Sequence, residues 1–281
     1  MRYTAKGNTI YVTDIFPFSL HDTFNCGQCF RFAEDERGVF RGSALGRILA
    51  IRQEENTLIL ENCTPEEWET VWAPYLDIPA DYAKILSFCD CDPILATAAR
   101  AAGGIRILRQ DPWEALCSFI ISQNNNIPRI KGIISRLCEH FGDPLPGGFY
   151  SFPSPGRLAD CTEADFSPLR CGFRWKYLKD AAKQISSGGV SLRQVETLPL
   201  NEVRESLMKI KGVGPKVADC ALLFGFHRLE AFPRDVWIKR IMARYFPHGL
   251  PESVQNVGGV IQQYLFHWAR TCPDAMQADA C

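Results

Sequence analysis

Leu207-Met208-Lys209-Ile210-Lys211-Gly212-Val213-Gly214-Pro215-Lys216-Val217-Ala218-Asp219-Cys220 is the most informative run in the chain. A helix must stop near Lys209, turn through two glycines and restart at Pro215. Glycine takes positive φ without steric cost, and proline is preset for a first helical turn. The turn leaves the backbone bare, so the N–H groups of Gly212, Val213 and Gly214 and the following helix N-terminus can meet a phosphate. Read alone, Gly-Val-Gly is an ordinary turn between two helices. Leu207, Ile210, Lys216 and Ala218 around it favour a hairpin that grips a phosphate backbone without reading sequence.

Nineteen residues after Lys216 stands Asp235, within Pro233-Arg234-Asp235-Val236-Trp237. Singly, Asp235 is a helix N-cap and Lys216 a solvated or phosphate-contacting lysine. As a pair they can do covalent chemistry. A free lysine, with a pKa of about 10.4, is a poor nucleophile at neutral pH; burial among apolar groups frees the amine. Such an amine can attack the anomeric carbon of a deoxynucleotide and displace the base. The carboxylate stabilises positive charge developing on the sugar, and the resulting Schiff base permits elimination of the 3′ phosphate.

These residues resemble the helix-hairpin-helix DNA glycosylase superfamily, and more closely its 8-oxoguanine DNA glycosylase/AP-lyase family. Phe119-Ile120-Ile121-Ser122-Gln123-Asn124-Asn125-Asn126-Ile127-Pro128-Arg129 is similar to the block that enters the duplex where the lesion leaves. By that resemblance Asn124 fills the vacated space, and Asn124 and Arg129 meet the orphaned cytosine. Cys171-Gly172-Phe173-Arg174-Trp175-Lys176-Tyr177 is similar to the wedge segment. It implies Phe173 beside the orphaned base and Arg174 hydrogen-bonded to it.

The likeness reaches both ends of the chain. Asn25-Cys26-Gly27-Gln28-Cys29 looks like the N-terminal recognition turn, whose carbonyl, here that of Gly27, accepts the N7–H that 8-oxoguanine has and guanine lacks. Losing one such buried bond costs roughly 1–3 kcal/mol. Ile261-Gln262-Gln263-Tyr264-Leu265-Phe266 resembles the segment that reads the flipped base. It implies Gln262 on the Watson–Crick edge, Phe266 on one face and Cys220, one helical turn after Lys216, on the other.

Departures from the family pattern concern DNA contacts more than chemistry. Trp237 stands where many members carry a histidine that contacts the lesion's phosphate, Phe173 lacks a tyrosine hydroxyl, and Pro128 replaces a small residue. They bear on opposite-base preference. The four-cysteine spacing of iron–sulfur relatives is missing.

Outward from these motifs, residues 1–110 are expected to hold a β-rich recognition domain with associated helices, and residues 111–281 a helical domain with the hairpin. The fold class is α+β, with an N-terminal antiparallel sheet followed by an all-helical body. Strands are expected at Thr9–Val12, Cys29–Phe32, Val39–Arg41, Ile48–Arg52 and Thr57–Glu61. Thr64-Pro65-Glu66-Glu67 and Asp111-Pro112-Trp113-Glu114 open helices with a cap and a first-turn proline. Further helices are expected at Trp175–Ser186, Asn201–Lys209, Pro215–Phe226, Val236–Tyr245 and within Pro251–Ala269. The active-site cleft should lie between the two domains, because Gly27, Lys216, Asp235 and Gln262 come from both.

The 281 residues carry 31 basic and 32 acidic side chains, so bulk charge argues neither for nor against nucleic acid. Twelve cysteines, most of them alone on apolar segments, read as small buried hydrophobes; Cys26/Cys29 lacks the second pair that a zinc site needs. With no membrane-length apolar run and no secretory start, a soluble intracellular monomer is expected, in the cytoplasm or nucleoid, or in a eukaryotic nucleus. Its partner is double-stranded DNA containing oxidised guanine. No metal or other cofactor is expected, and whether a monovalent or divalent cation bridges hairpin and phosphate stays open. Two rival readings are an alkylbase glycosylase that uses water and the aspartate alone, and a non-catalytic DNA-binding module. The first has no use for Lys216 as a nucleophile, and the second none for the Lys216/Asp235 pair.

Overall fold

Short alternating segments pair into a sheet because each can bury one face. The computed structural model describes residues 2–193 and 198–272, so Met1 and the last nine residues of the expected helical segment lie outside the described residues. Strand β1 (Arg2–Lys6) and strand β2 (Thr9–Thr13) precede a short helix, α1 (Leu20–Asn25). After them come β3 (Phe32–Glu34), β4 (Phe40–Ala44), β5 (Arg47–Glu54) and β6 (Thr57–Glu61). The six strands form one antiparallel sheet in the order β1-β2-β6-β5-β4-β3. Register pairs Ile10 with Leu60, Val12 with Leu58, and Ile51 with both Leu60 and Phe40. These residues share a buried face with Leu20 and Phe24 of α1 and with Trp68 and Trp72.

Three local features differ from the sequence expectation. β1 is largely exposed, with Tyr3 half-buried against the core, and pairing with β2 recruits it as an edge strand. The strand expected at Cys29–Phe32 begins only at Phe32, since Cys29 and Phe30 are buried in succession and Arg31 turns toward Glu114. α1 is too short for a periodic signal, and is started by Ser19, whose Oγ accepts the Asp22 N–H at 3.2 Å.

Beyond the sheet the chain is helical. α2 (Pro65–Glu67) and α3 (Ala73–Tyr75) flank one π-helical turn, followed by α4 (Tyr82–Phe88), α5 (Pro93–Ala102), α6 (Pro112–Ser122) and α7 (Ile127–Phe141). A two-stranded hairpin, β7 (Pro144–Leu145) and β8 (Phe149–Tyr150), leads to α8 (Pro155–Ala159), α9 (Glu163–Phe166) and α10 (Arg174–Ser186). The rest comprises α11 (Leu200–Met208), α12 (Pro215–Gly225), α13 (Val236–Tyr245) and α14 (Gly258–Thr271). The central helices are α6, α12 and α14, each buried along most of its length. Buried residues of α4 and α5 belong to the same apolar cluster as these helices, and α5 packs on α14.

Polar contacts help tie the sheet side to the stretch between α5 and α6 and to the helical body beyond it. Gln28 is buried and fully used: its Nε2 donates to the carbonyls of Thr23 and Arg106, both at 2.8 Å, and its Oε1 accepts the Leu108 N–H at 2.9 Å. Arg31, largely buried, pairs with Glu114 of α6 at 3.0 Å and also donates to Ser43 Oγ and the Tyr150 carbonyl. Among the described residues no helix is long and apolar enough to cross a membrane.

Candidate active site

The hairpin forms where the glycines demand it. Gly212 sits at φ +80°, and a Cβ there would overlap the ring of Tyr177. Gly214 is the N-cap of α12, with extended backbone and open space around it. The N–H of Val213 is spent on the Ile210 carbonyl at 3.0 Å and its side chain is buried. The expected phosphate-facing trio therefore reduces to the two glycines as its bare members.

α12 then begins with Pro215 and carries Lys216 in its first turn. The half-buried Lys216 Nζ lies 5.2 Å from the ring centre of Phe119, and Phe119 stacks on Phe224 at 5.1 Å. One turn further, Cys220 is buried, and burial pushes its thiol pKa up against the opposing charge and hydrogen bond of Lys216. Asp235 caps α13, its Oδ1 accepting the Ile238 N–H at 2.8 Å.

These groups meet in one place. Lys216, Cys220, Asp235, Gly27, Gln262 and Phe266, all singled out in the sequence, line a single cavity of about 60 Å³. They come from four stretches of chain: the loop after α1, helix α12, the α13 cap and helix α14. Gly27 turns at φ +90°, and the locked Gln28 beside it fixes that turn against the stretch between α5 and α6. Gln262 is 5% and Gln263 4% exposed, and the Oε1 of each is buried without a hydrogen-bond partner among the described residues. A wider cleft of about 350 Å³ between β3, β4 and α7 contains none of these groups.

Sequence reasoning missed part of the lining: Cys26, Phe119, Phe224, Pro233 and Gln263 also face the cavity. Phe119 stood in a quoted motif and Gln263 beside a quoted residue, yet only the packing of α6 against α12 and the turn of α14 disclose their use. Burial holds the Cys26 thiol at a pKa of about 12, so it is an inert wall.

The duplex-contact candidates form a second cluster. Asn124 is exposed in the left-handed region at φ +47°. Phe173 is 49% exposed at the start of α10. Arg174 is only 3% exposed: it donates to the carbonyls of Gln123, Asn124 and Cys171, and its guanidinium lies 4.6 Å from the Phe173 ring centre. A donor expected to reach a base is here occupied in bracing the asparagine loop. Arg129 is exposed; desolvation first, and then the charge of Arg129, lower the Arg174 pKa.

Comparison with known proteins agrees with this geometry. Residues 10–116 match the family described as 8-oxoguanine DNA glycosylase, N-terminal domain, and residues 117–256 the HhH-GPD superfamily of base excision DNA repair proteins. The chain is 34% identical to N-glycosylase/DNA lyase OGG1 of Arabidopsis thaliana over 79% of its own length and 65% of that protein's. It is 32% identical to the N-glycosylase/DNA lyase of Saccharomyces cerevisiae, covering 80% of this chain and 67% of that one. The 8-oxoguanine glycosylase/lyase of Clostridium acetobutylicum, solved with double-stranded DNA containing cytosine opposite 8-oxoG, superposes with a TM-score of 0.90 at 38% identity, over 96% of this chain and 98% of that one. With both domains matched in order and the cavity placed where they meet, this chain belongs to the 8-oxoguanine DNA glycosylase family of the HhH-GPD superfamily.

Proposed function

We propose that the protein excises 8-oxoguanine from duplex DNA and then cleaves the abasic strand. The single observation that carries this reading is the convergence of Lys216 and Asp235, from separate helices, on one cavity with Gly27 and Gln262. The uncharged Lys216 amine attacks C1′, the glycosidic electron pair leaves with the base, and the base takes up a proton. Asp235 shields the positive charge on the sugar during this step. Ring opening gives a Schiff base on Nζ, and loss of a C2′ proton expels the 3′ phosphate by β-elimination. The chemistry needs no resident cofactor.

Recognition follows from the same lining. The carbonyl of Gly27 is the acceptor for the N7–H of the oxidised base, and the orphaned Gln262 oxygen is an acceptor for N–H groups on its Watson–Crick edge. The cavity as it stands has about the volume of two water molecules. A purine enters only when its lining moves, and the half-buried Phe266 is the movable wall. Extrusion costs a few kcal/mol, offset by Phe173 and Asn124 filling the gap.

The test is to incubate the protein with duplexes carrying 8-oxoguanine opposite each of the four bases, measuring free base and strand nicking separately. Release of the base followed by nicking supports the reading; binding that leaves every duplex intact rejects it in favour of a non-catalytic module.

A further inference from the structure

Helix α10 connects parts of the duplex-facing apparatus that lie outside the cavity. At its start, Phe173 projects into solvent and Arg174 holds the carbonyls of Gln123 and Asn124. One turn on, the ring of Tyr177 stands edge-on to Phe173, with centroids 5.6 Å apart, and packs against the backbone of Gly212. Nearly a turn further, Asp180 Oδ2 accepts the Lys211 N–H at 2.7 Å. Residues 173, 177 and 180 follow steps of four and three, so they form one stripe along the helix. That stripe carries the wedge residue at one end and holds the hairpin with the rest.

We infer that α10 couples the phosphate grip of the hairpin to wedge insertion, with Tyr177 and Asp180 as positioning residues. The inference rests on the proposed function, because a wedge matters only where a base is extruded. Its physical content is a matter of tolerance. A wedge must enter the base stack at a fixed height above the strand, and a misplacement of about 1 Å can cost a large factor in rate. The hairpin contacts the backbone and supplies the reference height. Glycine at 212 lets the Tyr177 ring touch that backbone directly, and the same ring, packed on the buried apolar cluster, also meets Phe173. A phosphate seated at the hairpin therefore sets where Phe173 stands, and through Arg174 where the Asn124 loop stands. A chain of packed groups shared by both sites is the contiguous kind of connection through which energetic coupling travels.

The test is a double-mutant cycle on single-turnover excision from an 8-oxoguanine:cytosine duplex at saturating protein. Tyr177→Leu is expected to slow excision about tenfold, and to add less than about twofold when Phe173→Ala is already present. Tyr177→Phe should restore the wild-type rate, because the ring makes both contacts. Affinity for undamaged duplex, read by anisotropy, should change less than about threefold for Tyr177→Leu, since the hairpin N–H groups remain. Effects of Tyr177→Leu and Phe173→Ala that simply multiply would overturn the coupling, as would loss of rate explained wholly by weaker duplex binding. Should Tyr177→Leu not fold, Asp180→Ala serves in its place with the same expectations. A wild-type protein inactive on the damaged duplex would reject the functional reading itself, a result distinct from any of these.

Discussion

Asp235 Oδ1 accepts the N–H of Ile238 at 2.8 Å, so the carboxylate that faces Lys216 across the cavity is also the N-cap of α13. The two duties separate by substitution. Asparagine caps about as well as aspartate, so Asp235→Asn should cost under ~1 kcal/mol of stability, the helix-dipole contribution of the lost charge included. Excision should nonetheless fall by about 10²-fold or more, because the charge facing the developing cation is gone. Urea unfolding together with single-turnover rates checks this; an Asp235→Asn protein that keeps the wild-type rate while Asp235→Ala loses both rate and stability would point to a purely structural cap.

The hairpin glycines are predicted to be unequal. Gly212→Ala meets both a left-handed φ and the Tyr177 ring, and should cost about 1–3 kcal/mol and weaken binding to undamaged duplex. Gly214→Ala faces open space at an ordinary φ and should cost only about 0.5–1 kcal/mol, for the poorer N-cap that alanine makes. Parallel urea and anisotropy titrations of the two variants measure the contrast.

Gln262 and Gln263 each bury a carbonyl oxygen with no partner among the described residues, a cost of about 1–3 kcal/mol per group. Replacing either with methionine, similar in size and apolar, should raise the urea midpoint. Gln262→Met should at the same time slow excision of 8-oxoguanine about tenfold or more. A variant that is more stable and equally active would show that the Gln262 oxygen does not meet the base.

Burial raises the pKa of the Glu114 carboxyl, and the neighbouring Arg31 opposes that rise. Arg31→Met leaves the buried carboxylate unpaired, which typically costs about 3–5 kcal/mol. A carboxyl whose folded pKa lies above its unfolded value weakens the native state as pH climbs from the unfolded value through the folded one. The deficit of Arg31→Met should thus be largest at neutral pH and shrink as the carboxyl protonates in acid. Urea unfolding of both proteins at pH 7.5 and 5 checks the sign.

Much of this site could be read from the chain because its chemistry sits in short local motifs. Gly212, Gly214, Pro215 and Lys216 announce a turn and a helix start, and Asp235 announces a cap; backbone rules suffice for both. The sheet was legible at β2, where Ile10 and Val12 alternate with half-buried or polar residues, and at β5 and β6, which are short apolar runs between turn signals. It was illegible at β1, which packs only Tyr3 against the core and is held by pairing with β2. The roles of Phe119 and Gln263 depend on which face of a wholly buried helix meets a cavity, and periodicity is silent when every face is apolar. Arg174 was read as a base contact because its position in the motif was visible, whereas the carbonyls that occupy it lie some fifty residues earlier in the chain. Tyr177 closes the wedge motif, but its contact with the Gly212 backbone leaves no mark on composition, and Asp180, bound to the Lys211 N–H, gave no signal.

The central claim is that Lys216 Nζ becomes covalently bound to C1′ of the damaged nucleotide. Borohydride reduction during turnover of an 8-oxoguanine duplex traps that bond, and denaturing electrophoresis reads it. Wild-type protein should give a shifted protein–DNA band, and Lys216→Gln, still folded and still binding duplex, should give neither the band nor free base. A Lys216→Gln protein that traps as well as wild type would contradict the account.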